Sequence, residues 1–315
     1  MVPPKNIPLN DTALNKSYPL NIDSNGFIEN GNNTKKFEGN EDLLIIFFGG
    51  STTECLYVTE KNRFPSILER NLSKKFTRNI KVLNGGVSGN NSLHSLLNLI
   101  SKGIILKPDY VVLMHNANDL SLLRKTGSYW ISPASRSIIQ ISPTNYENKN
   151  VIYLTARKIK NILIPNIYGF VRLKIQNKVS NQDDFKGFRN KKKIDFENIK
   201  KMYVSSLKSF INLSRAWDIE PILMTQFNRI NYEDEYFTKN YGQDDLEEFI
   251  EEYKVFNEIL KQVAKSENVT AFDLANEIPS NKKYIYDSLH LTEAGSIFVG
   301  EILTNFFEKK LKENL

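Results

Sequence analysis

The sequence predicts an α/β protein built around a parallel β-sheet. Short apolar segments recur along the chain, and several end at a turn of glycine or polar residues that is followed by a segment with helical apolar spacing. Strands are expected near residues 43–48, 79–84, 109–114, 220–225 and 269–273. Helices are expected near residues 64–76, 91–102, 195–216, 246–265 and 293–312.

The first apolar segment leads directly to a serine. Six apolar residues, 43–48, are typical of a buried parallel strand, and Gly49 and Gly50 then allow a sharp turn. Ser51 follows at the expected start of a helix, where its hydroxyl would project above the sheet. Ser51 is therefore either a nucleophile or only the N-cap of that helix.

The second segment, residues 80–90, ends in a glycine-rich turn. It misses the dinucleotide-binding pattern, because Asn84 stands where the first glycine of that pattern belongs. The acidic ribose partner is also misplaced, since Asp109 comes before the next strand rather than after it. Gly89 instead fits a turn that offers a backbone N–H to a developing oxyanion.

The third segment delivers polar side chains at the end of its strand, which is the edge where open α/β sheets hold their sites. Asn118 follows that strand and can donate a side-chain N–H without carrying charge, as an oxyanion stabiliser must. The alternative is an ordinary Asn-Asp turn at the surface.

The fourth segment places Asp287 three residues before His290, so both side chains can meet within one turn of chain. The carboxylate would accept the Nδ1–H of the imidazole, which leaves Nε2 free to take the Ser51 proton. An isolated pair of this spacing is common by chance. The chain has three histidines, and His290 is the one that we expect to pair with an acid at close spacing.

These four segments resemble, in order and local setting, the four blocks of the SGNH hydrolases, also called the GDSL esterase/lipase superfamily. The resemblance spans about 240 residues and departs from the usual first and third blocks, which read Gly-Asp-Ser-Leu and Gly-x-Asn-Asp. These departures do not affect the residues that would carry out the chemistry. The matching residues are Gly50-Ser51, Asn84-x-x-x-Ser88-Gly89, Asn116-Ala117-Asn118-Asp119 and Asp287-x-x-His290.

The resemblance implies a flavodoxin-like three-layer α/β/α sandwich with a central parallel sheet. It also implies Ser51 as nucleophile, His290 as base and Asp287 as the partner of the base. The oxyanion hole would comprise the backbone N–H groups of Ser51 and Gly89 and the side chain of Asn118. No cofactor is expected.

Composition agrees with a globular enzyme. The 315 residues are 40% hydrophobic, and no run approaches the ~20 apolar residues of a transmembrane helix. The first residues lack the apolar core of a signal peptide, so the compartment stays open between a trimmed cell-envelope protein and a cytoplasmic one. The single cysteine, Cys55, excludes an internal disulfide and is expected to be a buried thiol. His94 and His115 lack metal-ligand spacing and are expected to pack, so no metal site is predicted.

Three regions are distinguished along the chain. Residues 1–40 are expected to be an irregular arm, and residues 41–315 the hydrolase domain, with a basic, partly helical insertion at 121–194 before the fourth strand. Residues 151–201 carry thirteen Lys/Arg and four Asp/Glu. They form either a solvated helical hairpin or a surface for an anionic polysaccharide or membrane headgroups, and nucleic acid is not expected.

A carbohydrate O-acetylesterase fits this polar, basic character best, because a lipase would be expected to show a broad apolar mouth. Tyr129 and Trp130, just after the third block, either line the acyl or sugar pocket or pack as ordinary aromatics. The alternatives within the chemistry are an O-acyltransferase using the same acyl-enzyme, or a lipase or thioesterase. The alternative from another class is an inactive carbohydrate-binding module that retains the fold.

Overall fold

A computed structural model describes most of the chain with its side chains. The described residues are 3, 9, 11–31, 42–130, 195–231, 233–240 and 243–313. Most of the predicted basic insertion, residues 131–194, lies outside this part, so its expected helices and binding surface stay predictions. The predicted division into an arm and a domain also stays a prediction.

The described residues form a parallel sheet of five strands in the order β2-β1-β3-β4-β5. This is the strand order of flavodoxin-like folds, so the predicted fold class is confirmed. Each strand lies within two residues of its predicted bounds. The strands are β1 (Leu43–Gly49), β2 (Ile80–Gly86), β3 (Tyr110–Met114), β4 (Glu220–Met224) and β5 (Thr270–Phe272).

Helices cover both faces of the sheet. The helices of the described residues are α1 (Asp11–Leu14), α2 (Ser51–Glu54), α3 (Phe64–Lys75), α4 (Ser92–Asn98), α5 (Ala117–Thr126), α6 (Phe196–Arg215), α7 (Glu235–Asn240), α8 (Gln243–Ser266), α9 (Leu274–Glu277) and α10 (Glu293–Glu313). One core contains apolar residues of α4, α5, α6 and α8, and the other contains those of α3, α9 and α10. None of the described helices is long and apolar enough to cross a membrane.

The central strand β1 shows why its sequence is continuously apolar. Successive side chains of a strand point to opposite faces, so Phe47 and Phe48 enter different cores. The Phe47 ring packs edge-on against Phe64 of α3, with centroids 5.3 Å apart. The Phe48 ring packs in the same way against Phe210 of α6, at 6.1 Å. Both faces of β1 are therefore buried, as in other doubly covered parallel sheets.

Two helix predictions need correction. The helix predicted for 91–102 ends as an α-helix at Asn98 and continues as a π-helical turn, Leu99–Gly103. At Gly103 a Cβ would lie 3.0 Å from both Leu99 and the Phe48 ring, so the wider turn fits this close packing. The helix that begins at Ser51 is a single turn, because Cys55 adopts φ 53° and ends it.

The described part of the N-terminal arm packs onto the domain. Tyr18 and Phe27 are buried, and Arg63 donates a hydrogen bond of 2.7 Å to the Pro19 carbonyl. Ile28 forms isolated bridges to Ile22 and to Asn84 of β2. This segment therefore contributes side chains to the folded core.

We expect Gly300→Ala to destabilise the protein, although alanine favours a helix. At residue 300 of α10 a Cβ would lie 2.7 Å from the Cβ of Ile67 in α3. Overpacking of this kind costs about 1–3 kcal/mol, which outweighs a helix-propensity gain of about 1 kcal/mol. Urea denaturation should show a lower free energy of unfolding for Gly300→Ala, whereas the exposed control Glu301→Ala should match the parent. Equal stability of all three proteins would mean that the two helices can separate at no cost.

Candidate active site

The predicted site residues meet at the carboxyl edge of the sheet. Ser51 begins α2 directly after β1, and Gly89 lies in the turn after β2. Asn118 lies in the first turn of α5, after β3. Asp287 and His290 come from the loop before α10. Residues from four separate parts of the chain are therefore brought together.

Ser51, His290 and Asp287 form a continuous hydrogen-bonded relay. His290 Nε2 lies 2.8 Å from Ser51 Oγ, and His290 Nδ1 lies 2.7 Å from Asp287 Oδ2. Because an ionised carboxylate only accepts, Nδ1 carries the imidazole proton and Nε2 accepts from the serine hydroxyl. The His290 and Asp287 side chains are 17% and 18% exposed, so the relay is shielded but open to a small substrate.

The environment keeps Asp287 ionised. Burial alone would raise its pKa, but the His290 charge and the hydrogen bonds that Asp287 accepts outweigh burial, and its pKa lies below the usual value. Its Oδ1 accepts the backbone N–H groups of Leu289, at 2.9 Å, and His290, at 2.7 Å. The carboxylate thus fixes both the imidazole and the loop that carries it.

The histidine loop is anchored by Arg229, a residue that the sequence analysis did not single out. The side-chain Nε of Arg229 donates to the Asp287 carbonyl at 2.9 Å. The backbone N–H of Arg229 donates to the Ser288 carbonyl, also at 2.9 Å. Its side chain is almost fully buried and pairs with Asp234. On the other side, the Tyr286 ring stacks on the imidazole with centroids 5.7 Å apart. These contacts restrict movement of His290 away from Ser51.

The three predicted N–H donors come from turns at this edge of the sheet. Among the described residues, the backbone N–H groups of Ser51 and Gly89 have no hydrogen-bond partner. Asn118 Nδ2 donates one hydrogen to the Asn90 carbonyl at 2.7 Å and retains a second. At Gly50 a Cβ would lie 2.6 Å from that Nδ2 atom, so the Asn118 amide lies directly against the turn before Ser51. The turn before Ser51 therefore lies against the Asn118 amide and the Asn90 carbonyl, which follows Gly89 in the chain.

Asp119 holds the third block against the core, while its neighbour Asn118 borders Ser51. It is fully buried, and both its carboxylate oxygens accept the Ser92 N–H at 3.1 Å. Burial raises the pKa of Asp119 to about 6. The Tyr129 hydroxyl also donates to Asp119, at 2.5 Å. Asp119 thereby links the beginnings of α4 and α5.

The hydrogen bond from Tyr129 to Asp119 bears on whether the two predicted aromatic residues line the substrate pocket or pack in the core. Tyr129 is 2% exposed, so the structure favours the packing alternative for its ring. Trp130 is 53% exposed, and a contact of its side chain with substrate stays a prediction.

The other candidate nucleophile and bases are structural. Burial raises the pKa of Cys55 to about 12, so its thiol is not ionised near neutral pH. Burial lowers the pKa of His115 to about 3. His94 forms a capping box with Asn91 at the start of α4. In the part of the chain that the structure describes, no group of His, Cys, Asp or Glu could hold a metal ion.

Gln226 and Glu54 are two further side chains that sequence reasoning missed. Gln226 Nε2 donates to Thr52 Oγ1 at 2.9 Å, and Gln226 Oε1 accepts the Ala117 N–H at 2.8 Å. One amide thus joins the helix that begins at Ser51 to the helix that carries Asn118. Glu54 accepts a hydrogen bond from Ser88 in the Gly89 turn. For Gln226, the available signal was its position just after β4, at the same edge as the site.

No family model matches the chain, and a search of curated proteins finds no match. The chain is similar to solved structures of several esterases and lipolytic proteins. One is a lipase/acylhydrolase from Enterococcus faecalis, at 14% identity over 85% of this chain and 96% of that chain, with a TM-score of 0.48. Another is a catalytic mutant of Axe2, an acetylxylan esterase from Geobacillus stearothermophilus, at 15% identity, 85% and 95% coverage and a TM-score of 0.48.

A third is a protein from Desulfitobacterium hafniense described as lipolytic and of the G-D-S-L family. It shows 12% identity over 84% of this chain and 99% of that chain, with a TM-score of 0.46. Sequence identity this low carries no activity from those proteins to this chain.

We expect Asn118→Ala to lower kcat for acetyl-ester hydrolysis by ~10²–10³ with little change in KM, because its amide would stabilise the transition-state oxyanion. Steady-state kinetics with p-nitrophenyl acetate measure both constants. Asn98→Ala, at the end of α4, is the matched control and should leave kcat unchanged. An effect on KM alone would mean that Asn118 only binds substrate.

We expect kcat/KM to fall with decreasing pH along a limb of slope one, between about pH 5 and 8, where imidazole ordinarily titrates. His290 must be neutral to take the serine proton. Asp287, with its lowered pKa, stays ionised through this window and adds no second proton. The contribution of Asp287 to stability is complete at pH values above the pKa of an unperturbed aspartate. It is lost only as the pH falls through the lowered pKa of Asp287 in the folded protein. A flat profile, or a slope of two, would contradict this assignment.

Proposed function

We propose that this protein is a serine esterase of the SGNH hydrolase superfamily that removes small acyl groups, most specifically acetyl groups, from the hydroxyls of a carbohydrate. The observation that carries the proposal is the Ser51–His290–Asp287 relay, with its distances of 2.8 and 2.7 Å. A relay of this geometry suits nucleophilic acyl transfer, in which N–H donors near the serine stabilise the oxyanion.

The mechanism follows from the positions of the protons. Ser51 Oγ attacks the ester carbonyl carbon while its proton passes to His290 Nε2, and Asp287 stabilises the resulting imidazolium. The carbonyl oxygen becomes an oxyanion that accepts from Ser51 N–H, Gly89 N–H and Asn118 Nδ2. His290 then protonates the leaving alcohol, and the acyl group remains on Ser51. Water, deprotonated by His290, attacks that acyl group and releases the acid with Ser51 restored.

A cleft lined by Tyr286, the residue that stacks on His290, supports a carbohydrate substrate. The cleft has a volume of about 620 Å³, and Tyr286 is part of its lining. The Tyr286 ring also stacks on the His290 ring. Lys16, Lys282, Lys283 and Glu293 also line it. Lys16 pairs with Glu293 at 3.8 Å, whereas Lys283 has no ion pair among the described residues. Tyrosines and ammonium groups suit a hydroxylated, acidic glycan better than a fatty acyl chain.

The same acyl-enzyme would serve an O-acyltransferase. In that reaction a sugar hydroxyl, rather than water, attacks the acyl group on Ser51 and receives it, and His290 again removes the proton. The cleft beside Tyr286 is large enough to hold a sugar acceptor. The two functions differ in which nucleophile resolves the acyl-enzyme, so added acceptor distinguishes them.

Acetate release from p-nitrophenyl acetate and from an O-acetylated polysaccharide tests the proposal, with p-nitrophenyl decanoate as the long-chain comparison. We expect release from both acetylated substrates, weak activity on the decanoate, and complete loss in Ser51→Ala with little change in Tm. The exposed serine variant Ser209→Ala is the matched control and should retain activity.

Acetate transferred to added oligosaccharide, without net release, would favour the acyltransferase. Faster turnover of the decanoate would favour a lipase. Turnover retained in Ser51→Ala would exclude Ser51 as the nucleophile, and binding of polysaccharide without any acyl chemistry would indicate an inactive binding module.

A further inference from the structure

The turn that carries Gly89 is held from two sides. On one side, the Asn90 carbonyl accepts from Asn118 Nδ2 at 2.7 Å. On the other side, Ser88 donates its hydroxyl hydrogen to the Glu54 carboxylate. Gly89 lies between these two anchored residues, with φ +77°, and its own N–H has no partner among the described residues. The direction of the free N–H is therefore set by its neighbours.

Glu54 is placed to act on this turn. It is the last residue of α2, three residues after Ser51, and is 8% exposed. Its carboxylate accepts a hydrogen bond from the Ser88 hydroxyl. At Gly86, the last residue of β2, a Cβ would lie 2.3 Å from the Glu54 backbone nitrogen. The end of β2 thus lies against the end of α2, and the carboxylate meets the turn that follows directly.

Keeping a carboxylate in this position costs free energy. Burial raises the pKa of Glu54, while the hydrogen bonds from Ser88 and the charges of His290 and Arg63 only partly oppose that effect. A buried acid whose charge is disfavoured in this way depends on the partners around it. The Ser88 hydroxyl, in the turn at the site, is one such partner.

We propose that Glu54 is a positioning residue, which orients the peptide between Ser88 and Gly89 so that the Gly89 N–H faces the oxyanion. The inference rests on the proposed function for its catalytic consequence. Its physical basis is the planarity of the peptide group, because the Ser88 carbonyl and the Gly89 N–H turn together as one plane. Anchors at Ser88 and at Asn90, on either side of Gly89, therefore restrain the direction of that N–H. Asn118 completes the restraint through Asn90, so one carboxylate and one amide together hold the second oxyanion donor.

The test compares Glu54→Ala, Glu54→Gln, Ser88→Ala and the Glu54→Ala/Ser88→Ala double variant with the parent. Ser88 is an exposed residue, so Ser88→Ala is expected to fold normally even if Glu54→Ala does not. Glu69→Gln is the matched control, because Glu69 is also a buried carboxylate that accepts a backbone N–H, from Val82 at 2.8 Å. Covalent titration of the active serine gives the concentration of competent enzyme for each variant.

On p-nitrophenyl acetate, we expect Glu54→Ala and Ser88→Ala each to lower kcat by about 10–100-fold, less than complete loss of an oxyanion donor, with KM within about twofold. The double variant should be no slower than the singles, because both remove the same restraint. Glu54→Gln should recover most of the rate, since its amide oxygen still accepts from Ser88. Multiplicative losses in the double variant, effects confined to KM, or unchanged kcat in Ser88→Ala would overturn the proposal.

A second measurement does not depend on catalysis. Amide NMR of the same variants should show the Gly89 N–H shifted and more mobile in Glu54→Ala and Ser88→Ala, and unchanged in Glu69→Gln. An unchanged Gly89 signal in all variants would overturn the positioning role. If the parent protein hydrolyses no ester but the Gly89 signal responds as expected, the proposed function fails and the positioning of Gly89 by Glu54 stands.

Discussion

The turn between β1 and α2 approaches its neighbours so closely that a side chain at residue 50 would displace the Asn118 amide, 2.6 Å from the position of a Cβ. Because of this approach, the turn that presents Ser51 lies against the Asn118 amide and the Asn90 carbonyl, which follow two neighbouring strands at the carboxyl edge of the sheet. The parallel order β2-β1-β3 makes the approach geometrically available, since all three strands end at the same edge.

Around that turn, single polar side chains each connect two elements that are distant in sequence. Gln226 joins α2 to α5, Arg229 holds the histidine loop, and Glu54 reaches the Gly89 turn. Each connection is made by a side chain that is at least nine-tenths buried, where hydrogen bonds are least screened by water. Such connections fix donors before substrate arrives, which is how an oxyanion site avoids reorganisation during the reaction.

The sequence predicted the parts of the fold that depend on local pattern. The buried run of β1 and the apolar spacing of α6 were both predictable, because strand and helix periodicity are local properties. Ser51 and His290 were found by their order and setting. Gln226 and Glu54 were not, because each is one polar residue whose partner is remote: Gln226 and Thr52 are 174 residues apart. The π-helical turn at Leu99–Gly103 escaped prediction because it arises from packing against Phe48.

Ser51 is expected to form a covalent acyl-enzyme, and trapping a covalent adduct on this residue tests its role as nucleophile most directly. A fluorophosphonate reagent, followed by intact-mass measurement and peptide mapping, should give one adduct per chain, located on the peptide that contains Ser51. Prior incubation with the acetyl ester substrate should slow the labelling, because both compete for the same oxygen. An adduct on another residue would contradict Ser51 as the nucleophile. So would a protein that turns over the ester but is not labelled by the reagent.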